Sequence, residues 1–123
     1  MSGIQRFTGA ALAAAVALTA SANAQAVDIS KFGGLAAITL NSSATGGAGQ
    51  TYNAKLQHSE DGVSGWTDIT GGAFDQVTNA GPSFQRLLLN LDQLKKFVRV
   101  VDTLAGTSPT VVRAVGLTGK IAV

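Results

Sequence analysis

The feature that most constrains this chain is the alternation of side-chain type along residues 52–59. One set of alternate positions is polar, and the other carries apolar residues, the single tyrosine and the single histidine: Tyr52, Ala54, Leu56 and His58. A period of two residues is typical of a β-strand with one face on a hydrophobic core and one face in water. The pattern therefore predicts a half-buried strand rather than a helix.

Turn-forming residues follow this strand at Glu60-Asp61-Gly62, and a return strand begins at the only tryptophan, Trp66. Gly62 suits the turn because glycine readily adopts a positive φ. Further strand-like runs are expected near residues 35–40, 73–77, 84–91, 97–104 and 110–117. About seven or eight short antiparallel strands, separated by frequent turn signals, are typical of a sandwich. We predict an all-β fold, a single β-sandwich of jelly-roll or immunoglobulin-like type.

The composition narrows the classes of partner. Only 13% of residues are charged, and the nine basic residues form no stripe interleaved with aromatic residues, so we expect no nucleic-acid partner. The chain has no cysteine, which excludes disulfides, thiolate zinc sites and cysteine nucleophiles. A weakly charged surface suits a protein that is covered by neighbours. We therefore expect self-association as a dimer or trimer, or docking on a larger assembly.

The N-terminal segment allows two interpretations. An apolar run over residues 7–20 follows Arg6, and Ala22-Asn23-Ala24 has the small-x-small form of a signal-peptidase site, so residues 1–26 resemble a secretory signal peptide. The run is too short and too rich in alanine for a membrane span, and we expect no membrane association. Alternatively, it is a retained apolar arm that docks on another surface. We favour the arm and predict an N-terminal arm at residues 1–33 and a β-sandwich domain at residues 34–123.

His58 is the one candidate for a histidine general base. It stands beside Ser59, Glu60 and Asp61, but neighbours along a strand point to opposite faces, so adjacency argues against a catalytic group. We interpret His58 as a hydrogen-bonded residue at the end of a strand. The other acids are single and separated by apolar strands, and no pair has a spacing that suggests glycoside hydrolysis. We predict no catalytic residues and no enzyme activity.

Three possible ligand sites have simpler explanations. Glu60, Asp61 and Asp68 could collect around a cation, but they lack the regular spacing of a calcium loop and are interpreted as a solvated turn. Trp66 could stack on a sugar, although a single tryptophan in a small sandwich is more often a core residue. The Gly-rich stretch at 41–50 has no following Gly-Lys-Ser/Thr and is interpreted as a mobile loop. We predict no metal and no cofactor.

Five segments in order also suggest a family: KLQHSEDG at 55–62, WTDI at 66–69, FDQVT at 74–78, LDQLKKFVRV at 91–100 and GTSP at 106–109. Over residues 52–117 the chain resembles the head decoration, or cement, proteins of tailed bacteriophages. The resemblance implies a β-sandwich or jelly-roll core that binds the outside of the capsid and bridges neighbouring major capsid proteins, with no catalytic residues. The long Ala-rich N-terminus departs from that pattern.

From the resemblance we predict a structural virion protein on the capsid exterior that clamps adjacent major capsid proteins. The expected partner contacts are apolar residues of the arm and of the segment after it: Phe7, Leu12, Val16, Leu18, Ile29 and Phe32. One alternative is a secreted module that binds carbohydrate or a bacterial surface after signal cleavage. A second alternative is a phage tail component, which copy number per particle would distinguish from a head protein.

Overall fold

The computed structural model describes residues 7–121, which form ten β-strands and one short 3-10 helix. In chain order the strands are β1 (Phe7–Leu18), β2 (Ala22–Asn23), β3 (Val27–Asp28), β4 (Phe32–Ser42), β5 (Thr51–Ser59), β6 (Thr67–Ala73), β7 (Val77–Thr78), β8 (Ser83–Asn90), β9 (Phe97–Ala105) and β10 (Val111–Ile121). The 3-10 helix spans Leu91–Gln93. No helix among these residues has the length and apolar character needed to span a membrane.

The strands form two sheets in which every pairing is antiparallel. One sheet has the order β1-β10-β4-β8; the other has the order β2-β9-β5-β6, with β3 also on β9 and β7 also on β5. When β2 and β3 are counted as one interrupted strand, and β6 and β7 as another, the sandwich has eight strands. Among these eight, the first pairs with the last, the second with the seventh, the third with the sixth and the fourth with the fifth. This is the nested pairing of a jelly roll rather than of an immunoglobulin fold. The predicted all-β sandwich is confirmed.

The core lies between the two sheets, which turn alternate residues towards each other. In β5, Tyr52, Ala54 and Leu56 are at most 2% exposed, as their alternation predicts. Across the sandwich, Ile38 of β4 and Leu117 of β10 are 1% and 2% exposed. Burying a side chain of this size contributes about 1.5–3 kcal/mol, so these alternating positions supply the main driving force for packing the sheets.

The turn after β5 is built around one carboxylate. Asp61 accepts hydrogen bonds from the backbone nitrogens of Ser64 and Val63, each at 2.9 Å. These bonds hold the pKa of Asp61 well below its usual range. Gly62 has a φ of +75°, and a Cβ there would come within 2.9 Å of the Phe97 ring. The predicted turn is therefore present, and the Asp61 carboxylate is engaged in forming it.

The N-terminal segment differs most from its prediction. We predicted an arm over residues 1–33, and the structure instead places residues 7–33 within the sandwich; residues 1–6 lie outside the described part of the chain. β1 pairs along β10, from Phe7 opposite Lys120 to Leu18 opposite Val111, with two register shifts between them. Its alanines suggested a helix or an unpaired arm. Backbone pairing, however, needs no particular side chain, so an alanine-rich segment can pair with β10 as a strand.

The predicted boundary between residues 33 and 34 falls inside β4, because Phe32 already points into the core and is 5% exposed. Gly34 lies within the strand, with a φ of +70°. The alternative of a cleaved signal over residues 1–26 stays a prediction. Cleavage there would remove β1 and β2 from the two sheets.

The Gly-rich loop before β5 is tied to the turn between β9 and β10. The side-chain nitrogen of Gln50 donates to the carbonyls of Thr107 and Ser108 at 2.9 and 3.2 Å. The hydroxyl of Thr45 donates to the carbonyl of Gln50 at 3.0 Å, and both residues are buried. A mobile loop was expected, whereas these contacts fix the loop against one end of the sandwich.

Candidate interaction surface

The apolar residues predicted as partner contacts do not form one surface. Four of the six lie in the core or pack against it: Leu12, Leu18, Ile29 and Phe32. Phe7 and Val16 are 64% and 45% exposed. Hydrophobicity marked all six equally, but a strand turns alternate residues inward, and the pairing with β10 decides which residues of β1 face the core.

The outer face of the sheet β1-β10-β4-β8, which we call the four-stranded face, is low and smooth in its middle. Small side chains lie opposite one another across three strands in two rows: Gly9, Thr118 and Ala37 in one, and Ala11, Gly116 and Thr39 in the other. Because none of these residues is large, the middle of the face lies close to the backbone. Such a surface accepts a flat partner without a clash.

Large apolar side chains stand around this middle. Five of them are at least half exposed and point outward from the four strands: Phe7, Leu35, Phe84, Leu88 and Val112. Leu35 and Leu88 project from the adjacent strands β4 and β8 and are 67% and 63% exposed. Single exposed apolar residues are ordinary on a protein surface, but a set on one face indicates an interaction site.

The charges of this sheet have one sign. None of the seven Asp and Glu residues lies in β1, β4, β8 or β10, as their positions in the sequence show. Arg113 of β10 points inward and is 4% exposed. The outward charged residues are Arg86 of β8, opposite Thr39, and Lys120 of β10, opposite Phe7. The four-stranded face is therefore apolar and weakly basic.

The outer face of the other sheet, which we call the six-stranded face, is polar and linked within itself. Gln57 accepts from the Nε and Nη2 of Arg99 at 3.0 and 2.7 Å, and it donates to Asp68 at 2.8 Å. Lys55 donates to the same carboxylate at 3.1 Å, and the Arg99 guanidinium lies 4.4 Å from the centroid of the Trp66 ring. The bond from Gln57, helped by Lys55, lowers the pKa of Asp68. The polar groups of this face therefore find their hydrogen-bond partners in one another.

Trp66 lies outside the core, so our prediction of a core residue is wrong. It is half-buried and precedes β6, on the outer side of the sheet, where Arg99 covers one face of its ring. The buried aromatic residue of the hairpin is instead Tyr52. The prediction rested on the usual core position of a single tryptophan in a small sandwich, but Trp66 precedes β6, and the alternation fixes only residues within a strand.

A buried polar cluster joins the two sheets. Arg113 of β10 donates to both carboxylate oxygens of Asp102 in β9, at 3.0 and 2.7 Å, and the Tyr52 hydroxyl donates to the same carboxylate. Arg113 also donates to the carbonyl of Ala14 in β1 at 2.7 Å. Burial raises the pKa of Tyr52 above its usual range, and the bonds to Asp102 raise that of Arg113. Because Asp102 is fully paired, the cluster is structural.

The candidate catalytic residues do not converge. His58 accepts a hydrogen bond at Nδ1 from the backbone nitrogen of Lys95 at 3.1 Å, and burial lowers its pKa. The single hydroxyl hydrogen of Ser59 is shared between Asp61 and the carbonyl of Ser64 and is not donated to His58. Between residues 7 and 121, no three His, Asp or Glu side chains come together as a metal site would require.

A cleft of about 370 Å³ lies between β1 and the segment around β3. Its walls are mainly alanine, with Val16 and Val27 beside them and Arg113 at one side. The Arg113 guanidinium is already bonded to Asp102 and to the Ala14 carbonyl. The cleft is therefore an apolar depression at the edge of the sandwich rather than a polar binding site.

Sequence reasoning missed the four-stranded face because its residues come from four separate strands. In β8, Leu88 points outward between Leu87 and Leu89, which face the core. The sequence did contain one signal of this face, because β8 carries apolar residues on both of its sides. The absence of acids from four strands was also visible, but it became meaningful only when the strands were known to be neighbours.

No protein-family model and no curated protein sequence matches the chain. Among solved structures, the chain is similar to the SPBc2 prophage-derived protein YomS, with 15% identity and a TM-score of 0.51 over 95% of this chain and 97% of that chain. It is also similar to the VP2 subviral particle protein of infectious bursal disease virus, with 9% identity and a TM-score of 0.57 over 98% of this chain and 33% of that chain. A structure of the Gt strain of that virus gives 11% identity, a TM-score of 0.56 and coverage of 97% and 34%. At these identities the likeness shows a shared fold.

Proposed function

We propose that this protein is a structural component of a virus or phage particle, a decoration protein that binds the capsid exterior and clamps neighbouring major capsid proteins. The observation that carries the proposal is the four-stranded face, with five large apolar side chains at least half exposed around a smooth middle. The shared fold supports it: one neighbour is a prophage-derived protein, and another forms a subviral particle.

The size of the face fits a protein that binds in many copies. Four strands about 4.8 Å apart and 8 to 12 residues long give a face of about 19 by 35 Å, or about 670 Å². A standard stable interface buries about 800 Å² on each partner, so one face gives modest affinity by itself. When one molecule bridges two capsid subunits, the second contact forms at high effective concentration, and modest contacts add up to stable attachment.

The decisive test is whether purified particles contain this protein and in how many copies. Particles are purified from cells that carry the gene in its native genome, and the protein is counted by quantitative mass spectrometry. Hundreds of copies per particle are expected for a capsid decoration protein. About a dozen copies or fewer would indicate the tail component instead, and absence from the particles would overturn the virion proposal.

The variant Leu35→Asp/Leu88→Asp tests the face directly. Two carboxylates in place of apolar contacts are expected to weaken attachment to particles at least about ten-fold, a loss of about 1.4 kcal/mol or more. Val63→Asp is the matched control, since Val63 is 82% exposed on the turn after β5 and away from the face. Unchanged occupancy of the double variant, with normal thermal unfolding, would exclude this face as the docking surface.

A second candidate function follows from the position of Trp66. Trp66 is half-buried on the polar outer side of its sheet, where its neighbour Arg99 binds Gln57, and an aromatic ring among polar groups favours the secreted carbohydrate-binding module. Arg99 already occupies one ring face, which leaves a single face for stacking. Glycan binding that is lost in Trp66→Ala, with no binding to particles, would support this alternative over the virion role.

A further inference from the structure

We propose that the four-stranded face closes on a different protein whose apolar surface carries carboxylates opposite Arg86 and Lys120, and not on a second copy of this chain. The proposal rests on the proposed function, since it names the chemistry of the partner at the same face. It follows from which charges the face holds and where they lie.

The two cations are placed far apart on the face. Arg86 lies in β8 in the row of Thr39 and Gly116, whereas Lys120 lies in β10 in the row of Phe7. Two strand spacings and about four residues separate them, which is about 17 Å. Among residues 7–121, the ion pairs are Lys55–Asp68, Lys96–Asp28 and Arg113–Asp102, so no described carboxylate pairs with either cation.

A second copy would not neutralise these charges. A symmetric pair with the two faces in contact would bring four cations to one interface and no Asp or Glu side chain from β1, β4, β8 or β10, because none of these strands contains an acidic residue. Unpaired like charges at an interface cost several kcal/mol. Self-association through this face is disfavoured for this reason.

A partner with carboxylates removes this cost. Arg86 offers a planar guanidinium that can bind one carboxylate through two hydrogen bonds, and Lys120 offers a point charge at the β1 margin of the face. Leu88 and Phe84 lie on either side of Arg86 along β8 and exclude water from a pair formed there. The expected partner surface is flat and apolar, with two acidic side chains about 17 Å apart.

The first experiment uses purified particles and compares two doubly neutralised variants. Arg86→Gln/Lys120→Gln is expected to bind about ten- to a hundred-fold more weakly and to lose most of its salt dependence between 50 mM and 500 mM NaCl. Lys55→Gln/Lys95→Gln, which changes the net charge equally but lies outside the face, is expected to bind like the wild type. Equal binding and an equal salt dependence for both variants would overturn the proposal.

A second measurement identifies the opposing group. A carbodiimide joins a lysine to a carboxylate that contacts it, with loss of water and no spacer. In decorated particles we expect a cross-link between Lys120 and an Asp or Glu of a shell protein, found by mass spectrometry. A cross-link from Lys120 to an acid of another copy of this chain, with dimers in sedimentation that Leu88→Asp abolishes, would assign the face to self-association.

The two proposals fail in different ways. If the wild type binds no particle at any salt concentration, the proposed function fails. If it binds, and Leu35→Asp/Leu88→Asp abolishes binding while Arg86→Gln/Lys120→Gln does not alter it, the docking face stands and the acidic partner is excluded.

Discussion

The two outer faces of this sandwich are built from the same kind of alternating strand and yet differ in every property that matters for binding. On the six-stranded face, Gln57 links Arg99 to Asp68, and Asp68 binds Lys55. On the four-stranded face, Leu35 and Leu88 stand exposed around a middle of Gly, Ala and Thr. The inner faces of both sheets are alike, because both must supply one core.

The difference shows what each face gains from a partner. A polar group that is already hydrogen-bonded loses as much as it gains when another protein covers it, so the six-stranded face has little to gain from contact. Apolar surface gains about 25 cal/mol for each Å² removed from water. Burying the four-stranded face against a partner is therefore favourable, whereas the six-stranded face is suited to remain in solvent.

The largest effect is expected where the sheets behind the two faces are joined. Arg113→Met removes the guanidinium that binds Asp102, whose side chain is 0% exposed, and leaves a carboxylate buried without its cation. The free energy of unfolding should fall by about 3–5 kcal/mol, measured by urea denaturation. Both faces depend on this contact, so attachment to particles should also fall.

The double variant Arg113→Met/Asp102→Leu is the control for that prediction. When both partners are replaced by apolar side chains, no charge is left buried, and much of the lost stability should return. If the single variant unfolds at the same urea concentration as the wild type, the cluster does not join the sheets in the way described.

An intermediate effect is expected on the six-stranded face. Trp66→Ala removes the ring that stacks against Arg99 and should lower the free energy of unfolding by about 1–2 kcal/mol. Attachment to particles should not change, in contrast to Leu35→Asp/Leu88→Asp, which should change attachment and leave stability nearly unaltered. Reduced attachment of a folded Trp66→Ala protein would show that the polar face also docks.

The smallest effect concerns the inner side of the six-stranded sheet. The pKa of His58 is lowered by burial and by Lys95, so the unfolded chain binds a proton more readily than the folded chain. The contribution of neutral His58 to the free energy of unfolding should therefore be full above the pKa of histidine in the unfolded chain, about 6.5. It should be lost as the pH drops from there towards the pKa of His58 in the folded protein. Denaturation from pH 7.5 to 5 measures this, and the window lies above the range in which Asp28, Asp61 and Asp68, with their lowered pKa values, titrate.

His58 is the single histidine, which makes this a test of one residue. His58→Gln should flatten the stability profile in that window. A profile that keeps the same slope in the variant would assign the titration to another group.

Much of the fold could be predicted from the sequence where the alternation was regular. Tyr52, Ala54 and Leu56 face the core as predicted, and Asp61 and Gly62 form the predicted turn. The prediction failed where side chains carried no alternation to follow. β1 is rich in alanine, which is compatible with a helix, an arm or a strand, and only its pairing with β10 makes it a strand.

The docking face was less accessible to sequence reasoning than the fold. Phe7 was named as a contact for its hydrophobicity and does lie on the four-stranded face, whereas Leu12, Ile29 and Phe32 were named for the same reason and are buried. Leu35 and Leu88 were not named at all. They are more than fifty residues apart in sequence, and they become neighbours only because β4 pairs with β8.

The sequence by itself determined that this chain is all-β, that β5 has one buried face, and that Asp61 and Gly62 turn the chain back. These are local properties, since a period of two residues and the conformational freedom of glycine act over a few positions. The tertiary structure alone decided the jelly-roll order of the strands, the inclusion of β1, and the gathering of exposed leucines, Arg86 and Lys120 on one face whose four strands contain no acidic residue. Those depend on which strands become neighbours, and that choice follows from burying all the inward faces at once.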